Sequence, residues 1–185
     1  MSMKQIEKNV FIPMPMCVVG SMVNGKPNYM AVGWVARVNA NPPMIGVGLG
    51  NHHFTTDLIK ASGAFSVNII GKELLVETDF VGLVSGKNTD KSAVFKTFYG
   101  ENKGAPLIEG SIVSLECRVH ESVVLPANTL FVGEITAAWG EESLLAGKAP
   151  DYVKGGAFFL TMPDNQYWGF GENLGKAWSI GNTMK

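Results

Sequence analysis

The stretch MCVVGSMVNGKPNYMAVGWVARV, residues 16–38, decides the fold class. Met16 to Val23 is an apolar, strand-like run, Asn24-Gly25 is a strong signal for a two-residue hairpin turn, and Tyr29 to Val38 reads as the returning strand. Immediately beyond, Asn41-Pro42-Pro43 forms a corner, because paired prolines cannot donate ladder hydrogen bonds, and Met44 to Leu49 resumes a strand.

The period then changes. Thr55 or Thr56 is placed to cap a short helix through Asp57, Leu58, Ile59 and Ala61, and Gly63 stands where a left-handed C-cap belongs. Ala64 to Ile70 returns to strand character, whereas Lys72 to Val84 and Lys91 to Phe98 read as helical or irregular excursions across one face. The clearest alternation lies further on. Val113, Leu115, Cys117 and Val119 interleave with Ser114, Glu116, Arg118 and His120, which predicts one buried face and one wet face. Thr129 to Trp139 pairs with that strand through the loop around Pro126. About six strands result, and the expectation is a mainly β, Greek-key-like barrel with short helices.

The chain has 185 residues, enough for one core and too few for two full α/β domains, so 1–185 is read as one domain. Its tail, 168–185, carries Trp168, Phe170 and Trp178, which are poor candidates for a solvated end; the segment reads as a wrapping or dimer arm. With 46% hydrophobic and 17% charged residues at a formal charge of −1, the composition supplies neither the basic footprint of a nucleic-acid binder nor a polybasic membrane patch. Cys17 and Cys117 form no CxxC and read as free thiols of a reducing compartment. Pro13 and Pro15 interrupt the apolar run near the N-terminus, so no secretory signal is expected and a cytoplasmic location follows.

Glycine-rich segments at 46–51 and 169–175 miss the dinucleotide spacing, and those at 82–87 and 140–148 have no P-loop spacing and no Ser or Thr after the lysine. His52, His53 and His120 form no metal motif, and His52-His53 reads as a polar turn before the helix. What survives is a set of polar or aromatic residues at element ends: Asn28, Trp34, Thr55, Lys91 and Asn128. Taken singly, Thr55 reads as a cap, Lys91 as a solvated charge and Trp34 as core.

Taken in order, PMPMCVVGS, NYMAVGWVARVNANPPMIGVGL, HFTTDLIKASGAFSVNI, SGKNTDKS, APLIEGSIVSLECRV and NTLFVGEI resemble successive blocks of the flavin reductase-like family, in particular its flavoredoxin-type members. The resemblance runs from about Phe11 to Trp139 and implies an FMN-binding split barrel, usually a homodimer. It further implies that Asn28, Gly33 and Trp34 line the isoalloxazine and ribityl chain and that Asn51 and Thr55 face the phosphate. Ser85 and Lys91 would close a loop on the same flavin, the lysine serving either the phosphate or the isoalloxazine edge. A helix start suits a phosphate, since its N–H groups are unpaired and partly positive. Where the family commonly has His before Thr-Leu-Phe-Val-Gly-Glu, this chain has Asn128, which can hydrogen-bond but not titrate near neutrality. The resemblance thus implies an FMN-dependent oxidoreductase, with NAD(P)H as a possible donor. The alternatives are an FMN electron carrier serving a redox protein partner, or a flavin-free binding module.

Overall fold

A computed structural model describes residues 2–184. The first and last residues of the expected domain and tail lie outside the described residues. The opening hairpin forms as read: β1 (Cys17–Val23) and β2 (Lys26–Val32) pair antiparallel with Val23 opposite Lys26. Asn24 and Gly25 adopt φ of 49° and 77°, both positive as a type I′ turn requires.

The returning strand is not continuous to Val38. It breaks at Gly33-Trp34, and β3 (Val35–Asn39) pairs instead with β4 (Met44–Gly50). With β5 (Ala64–Ile69), β6 (Val113–Val124) and β7 (Asn128–Gly140), the main sheet has the order β2-β1-β5-β6-β7-β4-β3. The break turns the six expected strands into seven and puts β2 and β3 at opposite edges. If that sheet were flat, its edges would stand roughly 29 Å apart at a strand spacing of about 4.8 Å. The chain from Val32 to Val35 reaches at most about 11 Å. The sheet therefore curls until its edges nearly meet, which is the expected split barrel.

Cys17, Val19, Val47, Leu49, Phe65, Val67, Cys117 and Phe131 fill the interior, and Ile59 of α1 (Phe54–Ser62) packs with them. Val18, Tyr29 and Ile70 pack outside the barrel with Val81 of α2 (Leu75–Leu83), Phe95 and Ile108. β1 is thus buried on both faces from Cys17 to Ser21, which is why its sequence shows no alternation of apolar and charged residues. Both cysteines are free and buried, and burial pushes the Cys17 thiol up to about 12.

Two local expectations fail for identifiable reasons. α1 begins at Phe54 with His53 at its N-cap and no side-chain cap, so Thr55 and Thr56 lie inside the first turn. Their hydroxyls turn inward, and that of Thr56 donates to the Gly50 carbonyl at 2.8 Å. The left-handed Gly63 that ends the helix is as expected, at φ 66°. On β6, Ser114 and Glu116 are buried rather than wet. The Glu116 carboxylate accepts the Asn102 backbone N–H and the Trp139 Nε1–H, each at 2.8 Å, because the segment after Gly100 lies across that face. Beyond the barrel, Met14–Pro15 pairs with the hairpin of Phe158–Thr161 and Gln166–Gly169, and residues 170–182 that follow are exposed. Among the described residues no helix is long and apolar enough to cross a membrane.

Two glycines separate backbone strain from packing. Gly25 stands in open space at φ 77°, so Gly25→Ala is expected to cost about 1 kcal/mol through the left-handed backbone alone. A Cβ on Gly133 would lie 2.5 Å from Cζ of the fully buried Phe65, so Gly133→Ala should cost about 1–3 kcal/mol through overpacking. Urea unfolding reads both, and an unchanged midpoint for Gly133→Ala would show that the Phe65 ring has room to move.

Candidate functional site

The break between β2 and β3 opens into a cleft. Two adjoining cavities, of about 290 and 690 Å³, share Phe11, Met14, Gly33, Trp34, Gly48 and Asn128. Trp34 is half exposed, not core; its carbonyl accepts the Gly48 N–H at 2.9 Å, which extends the β3–β4 ladder, and its indole lines the cleft. Two glycines are closely approached here. A Cβ on Gly48 would meet the indole at 3.3 Å, and one on Gly33 would meet Met14 Cβ at 2.8 Å. Asn128, at the start of β7 opposite Gly50, turns into the same cleft, and its carboxamide makes no hydrogen bond to the described residues.

The other expected residues form a buried polar cluster. Asn28 Nδ2 donates to Ser21 Oγ at 3.2 Å and to Thr55 Oγ1 at 3.1 Å, tying β1 and β2 to the first turn of α1. Lys91 is 4% exposed, not a solvated charge, and its Nζ donates to the carbonyls of Tyr29 at 2.9 Å and Val81 at 2.8 Å. Burial lowers its pKa to about 8. An ammonium has three N–H donors, so one remains for another acceptor. Lys91 and Asn28 line a separate polar cavity of about 370 Å³ with Lys26, Lys87 and Asp90. Ser85 is exposed and starts the loop over this cluster: its Oγ accepts the Lys87 N–H at 3.3 Å, and Gly86 is pressed against Asn28.

Asn51 stands apart. Its Nδ2 donates to the Leu125 carbonyl at 2.9 Å and its Oδ1 accepts the Thr129 hydroxyl at 2.7 Å, so the carboxamide already links the end of β4 to the β6–β7 hairpin. The structure adds residues that sequence reasoning passed over. His53 lines the smaller cavity, and its Nδ1 is buried without a partner. Burial first, then His52 and the Lys91 charge, lower its pKa and hold the ring neutral. Its position between Asn51 and Thr55 was the available signal. Asn9, Val10 and Met162, which line the cleft, gave none.

These features suit a flavin mononucleotide. The cavities lie in the roughly 300–1,000 Å³ range of small-molecule sites, with apolar walls, a glycine floor and one free amide for a planar ring. The start of α1 and the Lys91 cation supply positive potential for an anionic group.

The shift of Lys91 generates a stability prediction with a definite sign. The unfolded chain holds the Lys91 proton up to about pH 10.5, while the folded protein releases it near pH 8. The unfolded state therefore binds more protons between those values, and this group's contribution to stability rises with pH across that window. Wild type should gain stability relative to Lys91→Met between pH 8 and 10.5 in parallel urea titrations. A constant difference would mean that the two carbonyls keep the lysine as basic as a free one.

Residues 10–156 match the family model described as flavin reductase like domain. The crystal structure of flavoredoxin from Methanosarcina acetivorans is 48% identical, with 100% of each chain covered and a TM-score of 0.97. An FMN-binding protein from Thermus thermophilus, solved with bound 1-cyclohex-2-enone, is 25% identical over 95% of this chain and 99% of that one, with a TM-score of 0.80. A ferric-chelate reductase (NAD(P)H) of Archaeoglobus fulgidus is 31% identical over 65% of this chain and 72% of its own length. With a family model matched over most of its length and a barrel superposing on a flavoredoxin from end to end, this chain belongs to the flavin reductase-like family of flavoproteins.

Proposed function

We propose that this protein holds FMN non-covalently in the cleft and transfers electrons through it. The observation that carries the reading is the meeting of Gly33, Trp34 and Asn128, from two separate regions of sequence, around one apolar cleft beside the polar cluster of Asn28, Thr55 and Lys91. Bound FMN would supply the redox chemistry, and the protein its position and electrostatics. Trp34 covers one face of the ring, Gly33 and Gly48 keep its plane close to backbone, and Asn128 offers a donor or acceptor at its edge. Thr55 and the first turn of α1 face the phosphate, with Ser85 and Lys91 contributing the closing loop and a cation; Asn51 acts by holding the hairpin that carries Asn128.

A carrier that receives electrons from a redox protein fits better than a reductase that binds NAD(P)H. Among the described residues lining the two cavities of the cleft there is no Lys or Arg to meet a dinucleotide's pyrophosphate. The free buried thiols support a reducing, cytoplasmic setting. The protein pairs with a second copy. Trp178 is fully exposed, and Trp168, Phe170, Leu174 and Ile180 are all more than 45% exposed, an apolar length of chain that water alone does not stabilise. The Methanosarcina flavoredoxin superposes over the whole chain, tail included.

Purified protein, or apoprotein titrated with FMN, should bind one FMN per chain, quenching tryptophan and flavin fluorescence. Trp34→Ala should weaken that binding about tenfold, which corresponds to about 1.4 kcal/mol. Failure of the wild type to take up FMN rejects the reading. Anaerobic mixing should give flavin bleaching that is prompt with dithionite or a reduced redox protein and slow with NADH or NADPH; rapid bleaching by either nucleotide would establish the reductase instead. Light scattering should give twice the monomer mass, and Trp178→Ser combined with Phe170→Ser should shift it toward the monomer.

A further inference from the structure

His53 occupies a seat that holds its ring without satisfying it. Its backbone N–H donates to the Gly50 carbonyl at 3.0 Å and its own carbonyl accepts the Thr56 N–H at 3.1 Å, which ties the residue to the end of β4 and the first turn of α1. The ring centroid stands 4.2 Å from that of His52, with the planes at 61°. Both imidazoles lean over Gly50: a Cβ there would lie 2.9 Å from Cε1 of His52 and 3.0 Å from Cε1 of His53, so the missing side chain makes room for the pair. Yet Nδ1 of His53 is buried with no hydrogen-bond partner.

That orphaned atom decides which nitrogen carries the proton. A proton on Nδ1 would bury an N–H donor with no acceptor, and a doubly protonated ring would add a charge to the same defect. A bare lone pair at Nδ1 is the smaller loss, so the proton sits on Nε2. The charges around the ring act in the same direction, because His52 and Lys91 add only positive charge when protonated, and Gly48, Gly50 and Asn128 add none. Nε2 also lacks a partner among the described residues, but it is not buried; the space it opens to is the smaller cavity, which His53 lines.

Asn128, paired with Gly50 across the β4–β7 ladder, presents its free carboxamide to the same cavity. These two are the only polar side chains among the described residues that line it. One imidazole N–H, which donates, beside one carboxamide, which donates and accepts, matches a ring edge on which carbonyl acceptors flank an N–H. The pyrimidine edge of an isoalloxazine has that pattern.

We propose that His53 binds the flavin ring, its Nε2–H donating a hydrogen bond to an acceptor on the pyrimidine edge, and that with Asn128 it sets which way round the ring lies. The assignment rests on the FMN reading of the cleft. A flavin that takes up two electrons and one proton becomes an anion with its charge on that edge, and a hydrogen bond to a charged acceptor is roughly twice as strong as one to a neutral acceptor. The His53 donor therefore favours reduced over oxidised FMN.

Two measurements on the full chain test this, one of them without FMN. In apoprotein labelled with ¹⁵N-histidine, NMR at neutral pH should show His53, assigned by its loss in His53→Gln, as a neutral ring with its proton on Nε2. A proton on Nδ1, or a charged ring, overturns the proposal before any flavin is added. With FMN, His53→Phe should weaken binding of the oxidised form about fivefold and of the dithionite-reduced form about fivefold more, which lowers the two-electron midpoint potential of bound FMN by about 20 mV. His53→Gln, which keeps an N–H donor, should recover part of both losses, and thermal melts verify that the variants are folded. If wild type binds no FMN, the flavin reading fails and takes this inference with it. If FMN binds and His53→Phe leaves its affinity unchanged, or weakens both forms equally and leaves the potential where it was, the His53 assignment alone is overturned.

Discussion

Two residues, Gly33 and Trp34, connect strands that lie at opposite edges of a seven-stranded sheet, and most of the architecture follows from that covalent constraint. The short link permits only a strongly curled sheet. Curling brings β2 near β3 and β4, leaves the seam between them open, and sets the link itself at the mouth of that seam. A cleft at this point is a consequence of topology, and its lining is fixed by which residues occupy the link. Glycine at 33 admits Met14, and tryptophan at 34 covers Gly48. A bulkier residue at 33 would collide with the strand that anchors the C-terminal hairpin. The same two residues therefore serve closure of the barrel and shape of the site.

A second constraint acts just behind the cleft. Lys91 is buried in a place where its ammonium must find acceptors, and it finds the carbonyls of Tyr29 on β2 and Val81 near the end of α2. Asn28, one residue away on β2, uses both amide hydrogens on Ser21 and Thr55. β1, β2, α1, α2 and the 85–91 loop are thereby joined through a few polar contacts, each costly to break because the partner left behind would be buried and unsatisfied. The cluster stiffens the wall on which the flavin is proposed to rest. It also keeps a positive charge within reach of His53, whose neutral ring lines the cavity. Stability and electrostatics of the site thus depend on the same lysine.

Three side chains show how a reading of isolated residues goes wrong. Thr55 sits near a helix start, Lys91 follows an aspartate and Trp34 interrupts an apolar run, and the ordinary fates of such residues are a cap, a solvated charge and a core ring. The structure gives an inward hydroxyl, a buried ammonium and a half-exposed indole. Their order along the chain, compared with a family pattern, singled them out as a group when the residue types taken singly did not. Asn51 belongs to the same pattern, yet its carboxamide is occupied by Leu125 and Thr129. A sequence block locates a neighbourhood, and hydrogen-bond partners decide each member's part in it.

What the sequence determined by itself is what short-range physics controls. The Asn24-Gly25 turn is legible because positive φ is a local cost that few residue types tolerate, and the same holds for Gly63 at the end of α1. The pairing of β6 with β7 is legible because a short loop leaves antiparallel neighbours little alternative. Only the tertiary structure decided the rest. Whether residues 29–38 form one strand or two depends on where the far edge of the sheet lies, and whether Ser114 and Glu116 are wet depends on a segment that crosses them from residues 100–108. Which residues wall the cleft depends on Phe11, Trp34, Asn128 and Met162 being brought together across the length of the chain. Such contacts leave no local period or propensity in the sequence, because their energy comes from partners that only folding supplies.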